Sequence, residues 1–348
     1  MAGAGIWDVT GPAAEVNMMG YANLPQTTAG IHLRLRARAF VFKGASGNKV
    51  AFVSVDAGMA STEVTRGVVE ALQQKYGADG PWSYATILIS GTHTHSGPGG
   101  FFQYLLYEFT SLGQVKETVN AFVEGIVKAI EAADAKAVPA RASIISDLLF
   151  DANINRSPTS YLRNPAGERE RWAAEGDTDK MMTLLRIDTA DVDGATPLGV
   201  VNWFAVHCTS MNNTNQLISG DNKGYAGYLF ERDLNGPDVA AGQGEFVASF
   251  AQSNLGDVSP NTRGASCQDT GLPCDGLHST CNGKNELCVA SGPGNDMFES
   301  TQIIGAKQYA FAKTLWANAS GAGDFVFGAA KGDLLLCTAD VNISCESC

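Results

Sequence analysis

Two histidines one residue apart, His93 and His95, lie in the run Gly91-Thr92-His93-Thr94-His95-Ser96-Gly97-Pro98-Gly99-Gly100, directly after the apolar stretch Ile87-Leu88-Ile89. In extended backbone, residues i and i+2 point to the same side, so both imidazoles can reach one cation. The glycines and proline that follow cannot continue a strand or begin a regular helix, which sets the pair at a strand end beside an open loop. A bare His-x-His is equally at home as two solvated loop side chains. A third imidazole alters that balance. His207 leaves the apolar stretch Leu198 to Val206 and enters the polar run Cys208-Thr209-Ser210-Met211-Asn212-Asn213. It repeats the strand-end placement of the first two, and three histidines with one open position form a recurrent zinc site.

Other side chains could serve such a centre. Arg156 stands in the polar loop from Asp151 to Pro158, although loop arginines are mostly solvated. Ser259 stands in the tight polar turn Asn254-Leu255-Gly256-Asp257-Val258-Ser259-Pro260-Asn261. That turn is not the Gly-x-Ser-x-Gly elbow of α/β-hydrolases, and no Ser-His-Asp order can be assigned. Asp56 ends an apolar strand beside Gly58 and is a candidate ligand or ligand-orienting carboxylate, with turn capping the commoner role. Gly20 gives a flexible point to the irregular stretch Met18 to Ala22. His32 shares a period-two face with Arg34, Arg36 and Arg38, which reads as a solvated sheet face, so it is not nominated as a ligand.

The elements that must position these residues are legible from periodicity. Strands are expected at 31–43, 49–55, 139–150, 181–187, 198–206 and 245–253, besides the one leading into His93. Ser61 should cap a helix running to about Tyr76 and closed by Gly77. Further helices are expected at 115–135, 221–234 and 295–318. The alternation of strands and helices predicts one α/β domain with a mixed β-sheet core flanked by helices, its strand ends converging on one edge.

Composition excludes several functions. With 348 residues, 45% of them hydrophobic, the chain can bury a large core. A net charge of −12 and a pI near 4.8 argue against non-specific nucleic-acid binding and against docking on anionic lipid through a basic patch. No run of about 18 apolar residues suggests a transmembrane segment. The N-terminus shows no basic and apolar leader pattern. Cys267, Cys274, Cys281 and Cys288 recur every seven residues in a segment poor in apolar side chains. Two disulfides suit this spacing better than a zinc knuckle, whose ligands usually pair two to four residues apart. With the sequons at Asn318 and Asn342, the cysteines point to the secretory pathway, an extracellular or membrane-associated site, and a leader absent from this chain.

Taken together, the runs at 91–100, 153–158 and 254–261, His207 after its apolar strand, the cysteine loop, and Phe298 to Gly305 resemble the neutral ceramidases over roughly residues 5–318. The cysteine loop looks like that of the eukaryotic members. The resemblance implies an amidase that uses one Zn2+ ion to split the N-acyl bond of ceramide into sphingosine and a fatty acid. Its partner would be the lipid substrate at a membrane surface or micelle. By motif, His93, His95 and His207 would ligate zinc, and Gly20, His95 and Arg156 would line the head-group pocket. Ser259 would be the catalytic serine that the family associates with activity. The reading preferred for it is orientation of substrate or water, because a covalent route needs a general base that the sequence does not name.

The resemblance also implies a Glu and a Tyr ligand and a C-terminal β-sandwich domain that this chain does not show. The expectation is therefore an incomplete catalytic domain at 1–320, containing a stapled loop at 262–292 and followed by a divergent tail at 321–348. A non-catalytic metal-binding protein on the same scaffold stands as the alternative.

Overall fold

The computed structural model describes residues 1–191 and 194–319, together with the backbone of the short strand Phe325–Val326. The tail at 321–348 otherwise lies outside the described residues, as does the sequon at Asn342.

Two mixed sheets form the core. In the first, Ala2–Asp8, Arg36–Lys43, Lys49–Val55 and Ile87–Gly91 lie in that order, the last two parallel. In the second, Val247–Gln252, Pro197–Phe204, Met181–Thr189, Ala140–Leu148 and Phe325–Val326 follow one another, with the first pair parallel. The sheets pack face to face through Ala4, Ile6, Phe40 and Phe42 on one side and Leu185, Ile187, Val201 and Val247 on the other.

Helices cover the two outer faces. Thr62–Tyr76 and Lys116–Ala135 bury Val68, Leu72, Phe122 and Ile126 against Ala37, Ala39, Val41 and Val53. Asp221–Asn235 and Met297–Asn318 bury Phe230, Ile304 and Leu315 against Leu184, Val200 and Phe250. The chain thus forms a helix-sheet-sheet-helix stack, the expected α/β class with two sheets.

Local signals explain the element ends. Ser61 caps the first long helix by accepting the Val64 N–H at 3.4 Å, and Gly77 closes it with φ 88°. Asp296 caps the last by accepting the Glu299 N–H at 2.8 Å. The strand Ala2–Asp8 was not among the expected elements. Its alternating glycines let a helix lie directly on the backbone: a Cβ on Gly3 would stand 2.1 Å from the Ala133 carbonyl oxygen.

The basic face expected to be solvated is so only at Arg34, which is exposed. Arg38 is buried against the helix Asp221–Asn235, where it pairs with Glu231 at 2.7 Å, and it also pairs with Asp56 at 3.2 Å. Arg36 pairs with Asp8 at 3.4 Å. The alternation was read correctly as a strand, but its second face meets the helix Asp221–Asn235 at Arg38 and the other sheet at Phe40 and Phe42 instead of water. The strand also starts at Arg36, not at Ile31.

The cysteine segment is cross-linked as Cys267–Cys281 and Cys274–Cys288. Each bridge closes a loop of sequence separation 14, worth about 3 kcal/mol in a chain-entropy picture. That is the anchorage a segment with so little apolar content requires.

Candidate metal centre

The carboxyl ends of both parallel strand pairs meet on one edge of the stack, the position where open α/β sheets place ligands. Ile87–Gly91 delivers His93 and His95 from the first sheet, and Pro197–Phe204 delivers His207 from the second. Beyond the strand ends the two segments join through a parallel bridge between Thr94 and Cys208. The His95 N–H donates to the Cys208 carbonyl at 3.3 Å. His93 itself adopts a left-handed backbone with φ 67°, a conformation that costs a non-glycine residue about 1–3 kcal/mol and is common at functional sites.

The three imidazoles converge. His93 Nε2 stands 3.1 Å from His207 Nε2 and 3.2 Å from His95 Nε2, and ligand nitrogens of all three lie within 4.8 Å of one another. His93 Nδ1 faces the Gly58 carbonyl at 2.5 Å, and His207 Nδ1 faces the Leu255 carbonyl at 2.7 Å. A carbonyl can only accept, so each Nδ1 carries the proton and each Nε2 keeps its lone pair. Two such lone pairs 3.1 Å apart repel unless a cation lies between them. With nitrogen–metal bonds of about 2.0–2.1 Å, the two short separations subtend roughly 95–106° at a shared ion, close to tetrahedral. The donor set fits a single divalent ion with a position left open.

Electrostatics agree. Burial, opposed by the Gly58 hydrogen bond and reinforced by the Arg156 charge, holds His93 below the usual imidazole range. Burial and the neighbouring imidazoles and Arg156 push His95 down to about 3. Burial, with His93 and Arg156, pushes His207 down to about 4, against its two carbonyl hydrogen bonds. All three are therefore neutral at pH 7, the form that binds metal.

The other nominated residues gather round this centre in different ways. Gly20, with φ 136°, lies against the His95 ring: a Cβ there would sit 2.4 Å from His95 Cγ. Tyr21 packs edge-on against the same ring at 4.6 Å. Arg156 is exposed beside the site, its charge felt by all three histidines. The Arg156 N–H donates to the Asp257 carbonyl at 2.8 Å. Ser259 is buried, in a two-residue strand pairing with Ile154 and Asn155. Ser259 Oγ accepts the Asn261 N–H at 3.1 Å, and no imidazole or carboxylate is its hydrogen-bond partner among the described residues.

Asp56 is not at the centre, since its carboxylate is committed to Arg38 and to the Arg36 N–H. The group from that turn that orients a histidine is the Gly58 carbonyl. Three carboxamides escaped the sequence reading. Gln26 Nε2 donates to the His95 carbonyl at 3.2 Å, Asn222 Nδ2 to the His207 carbonyl at 3.0 Å, and Gln252 Nε2 to the Thr92 carbonyl at 2.8 Å. No motif marks them, because each acts on the backbone of a residue distant in sequence.

Fold and site together define an α/β protein with a three-histidine cluster at its strand ends that could hold a metal ion. The chain belongs to the neutral/alkaline non-lysosomal ceramidase family, whose N-terminal family model matches residues 1–328. It is 55% identical to neutral ceramidase B of Dictyostelium discoideum over 91% of this chain and 44% of that protein. It is 48% identical to the neutral ceramidase of Drosophila melanogaster over 88% of this chain and 42% of that protein. A solved ceramidase complexed with C2 superposes with a TM-score of 0.77 at 39% identity, covering 91% of this chain and 44% of that one. The neutral ceramidase of Pseudomonas aeruginosa gives a TM-score of 0.75 at 39% identity, over 91% and 45%. The chain thus spans less than half the length of the relatives it matches.

Proposed function

We propose that the chain is the N-terminal catalytic part, residues 1–320, of an amidohydrolase that splits the N-acyl bond of ceramide. In this reading His93, His95 and His207 hold one Zn2+ ion. The observation that carries it is the convergence of the Nε2 atoms of three neutral imidazoles, two of which, on His93 and His207, turn an Nε2 lone pair inward because their Nδ1 faces a carbonyl. Bound there, zinc would polarise the amide carbonyl and acidify water at neutral pH.

The chain's own residues divide the remaining work. Arg156 presents a cation beside the centre to orient the hydroxyls of the head group, and Gly20 leaves the space against the His95 ring free of a side chain. Ser259, without a base to activate it, serves to orient substrate or water. The carbonyls of Leu255 and Val258, from the same turn, hold His207 Nδ1. The motif around Ser259 therefore also supports a ligand.

The two disulfides support an oxidising, secretory location for the domain, and the 262–292 loop is its stapled insertion. Asn318 is exposed at the end of the last helix, as a glycosylation acceptor must be. Among the described residues, no helix is long and apolar enough to cross a membrane.

The test is to incubate the purified chain with N-acylsphingosine with and without a zinc chelator. Fatty-acid release that the chelator abolishes, and that His93→Ala eliminates, is expected. No chelator-sensitive release leaves a metal-binding protein without this activity. Activity that survives His93→Ala but not Ser259→Ala would mean serine hydrolase chemistry instead.

A further inference from the structure

The metal centre is assembled from two sheets, and little covalent structure fixes the distance between them. His93 and His95 follow a strand of the first sheet, while His207 follows a strand of the second. One side chain spans this junction. Gln252, the last residue of Val247–Gln252, donates from Nε2 to the Thr92 carbonyl at 2.8 Å and to the Val206 carbonyl at 2.6 Å. Thr92 immediately precedes His93, and Val206 immediately precedes His207. Gln252 Oε1 accepts the Val206 N–H at 3.4 Å. The amide orientation follows from these partners, because the flipped rotamer would set its oxygen against two carbonyl oxygens.

We propose that Gln252 is a positioning residue for the metal centre: its carboxamide ties the two ligand-bearing segments together and so sets the separation of His93 from His207. The inference rests on the reading of the three histidines as a metal site. A carboxamide suits the task because it offers two donors to two carbonyls at a fixed angle and carries no charge beside the centre. Cys208 Sγ also reaches the Thr92 carbonyl, at 3.1 Å, but a thiol is a weaker donor and touches one segment only by belonging to it.

The test uses the full chain and cobalt as a spectroscopic probe in place of zinc. Wild type should take up one Co2+ with the absorption of a tetrahedral nitrogen site. Gln252→Met removes both donors at similar volume, and Gln252→Glu keeps the shape and the acceptor but cannot donate when ionised. Both should bind Co2+ about 10–100-fold more weakly, the usual effect of losing a group that orients ligands, with a shifted absorption band. Ser253→Ala, whose hydroxyl bonds only the exposed Asn254 side chain, should leave both readouts unchanged.

A wild-type chain that takes up no metal overturns both this inference and the proposed function. A metal-binding wild type with variants of equal affinity and identical spectrum overturns this inference alone. If neither variant folds, hydrogen exchange on wild type decides: metal should slow exchange in 247–253 together with 92–95 and 206–208. Protection of the histidine segments without 247–253 also overturns it.

Discussion

Replacing Gly20 by alanine isolates the demand that the His95 ring places on its surroundings. The added Cβ would stand 2.4 Å from His95 Cγ, 2.7 Å from Nδ1 and 2.8 Å from Cβ. Carbon atoms pack at about 3.5–4.0 Å, so the ring or the 18–22 backbone must give way by roughly 1 Å. Neither can do so freely. The ring is held edge-on by Tyr21, whose hydroxyl donates to the Met211 carbonyl at 2.8 Å, and the His95 carbonyl is held by Gln26. Gly20 also has φ 136°, which an L side chain adopts at a cost of about 1–3 kcal/mol.

Crowding adds about 1–3 kcal/mol, so Gly20→Ala should destabilise the fold by about 2–6 kcal/mol. A ligand displaced by about 1 Å exceeds the tolerance of roughly 0.2 Å in a metal–nitrogen bond, so metal affinity should fall further than stability does. Urea denaturation measures the first effect and Co2+ titration the second. A Gly20→Ala chain with wild-type stability and wild-type Co2+ affinity would refute the account of Gly20 as the residue that makes room for His95.

Two more perturbations test the buried polar groups. Arg38→Met leaves Asp56 and Glu231 buried without their shared cation, and it should cost about 3–5 kcal/mol in denaturant unfolding. A loss under 1 kcal/mol would show that the carboxylates find other partners. Lys223 is buried, with Nζ donating to the Phe204 and Ala251 carbonyls at 2.9 and 3.0 Å, and burial lowers it from 10.5 to about 8. The unfolded chain therefore holds more protons between pH 8 and 10.5, and wild-type stability should rise over that window by on the order of 3 kcal/mol from this group. Lys223→Met should lack that rise, and parallel stability profiles for the two proteins between pH 8 and 10.5 would contradict it.

Much of the centre was legible before any fold was known. The His-x-His pair and His207 each follow an apolar run into a polar turn, and that local pattern places all three at strand ends. Helix limits at Ser61 and Gly77 were equally local, since capping depends on residues within one turn. What the sequence determined is most of the long elements and the strand-end placement of the three candidate ligands, because period and capping are short-range properties.

Distance across the chain decided the rest. Whether Arg38 meets water or Glu231 depends on a helix residue 193 positions away in sequence, and no alternation pattern carries that information. The strand Ala2–Asp8 was hidden because glycine is a poor strand former, and it is stabilised here by the helix that its missing side chains admit. Even spacing of the four cysteines left their pairing open, and the 267–281 and 274–288 bridges were fixed by how the loop folds back. Gln252 shows the limit most clearly. It is one glutamine at a strand end, and only the packing of two sheets puts the carbonyls before His93 and His207 within reach of a single carboxamide.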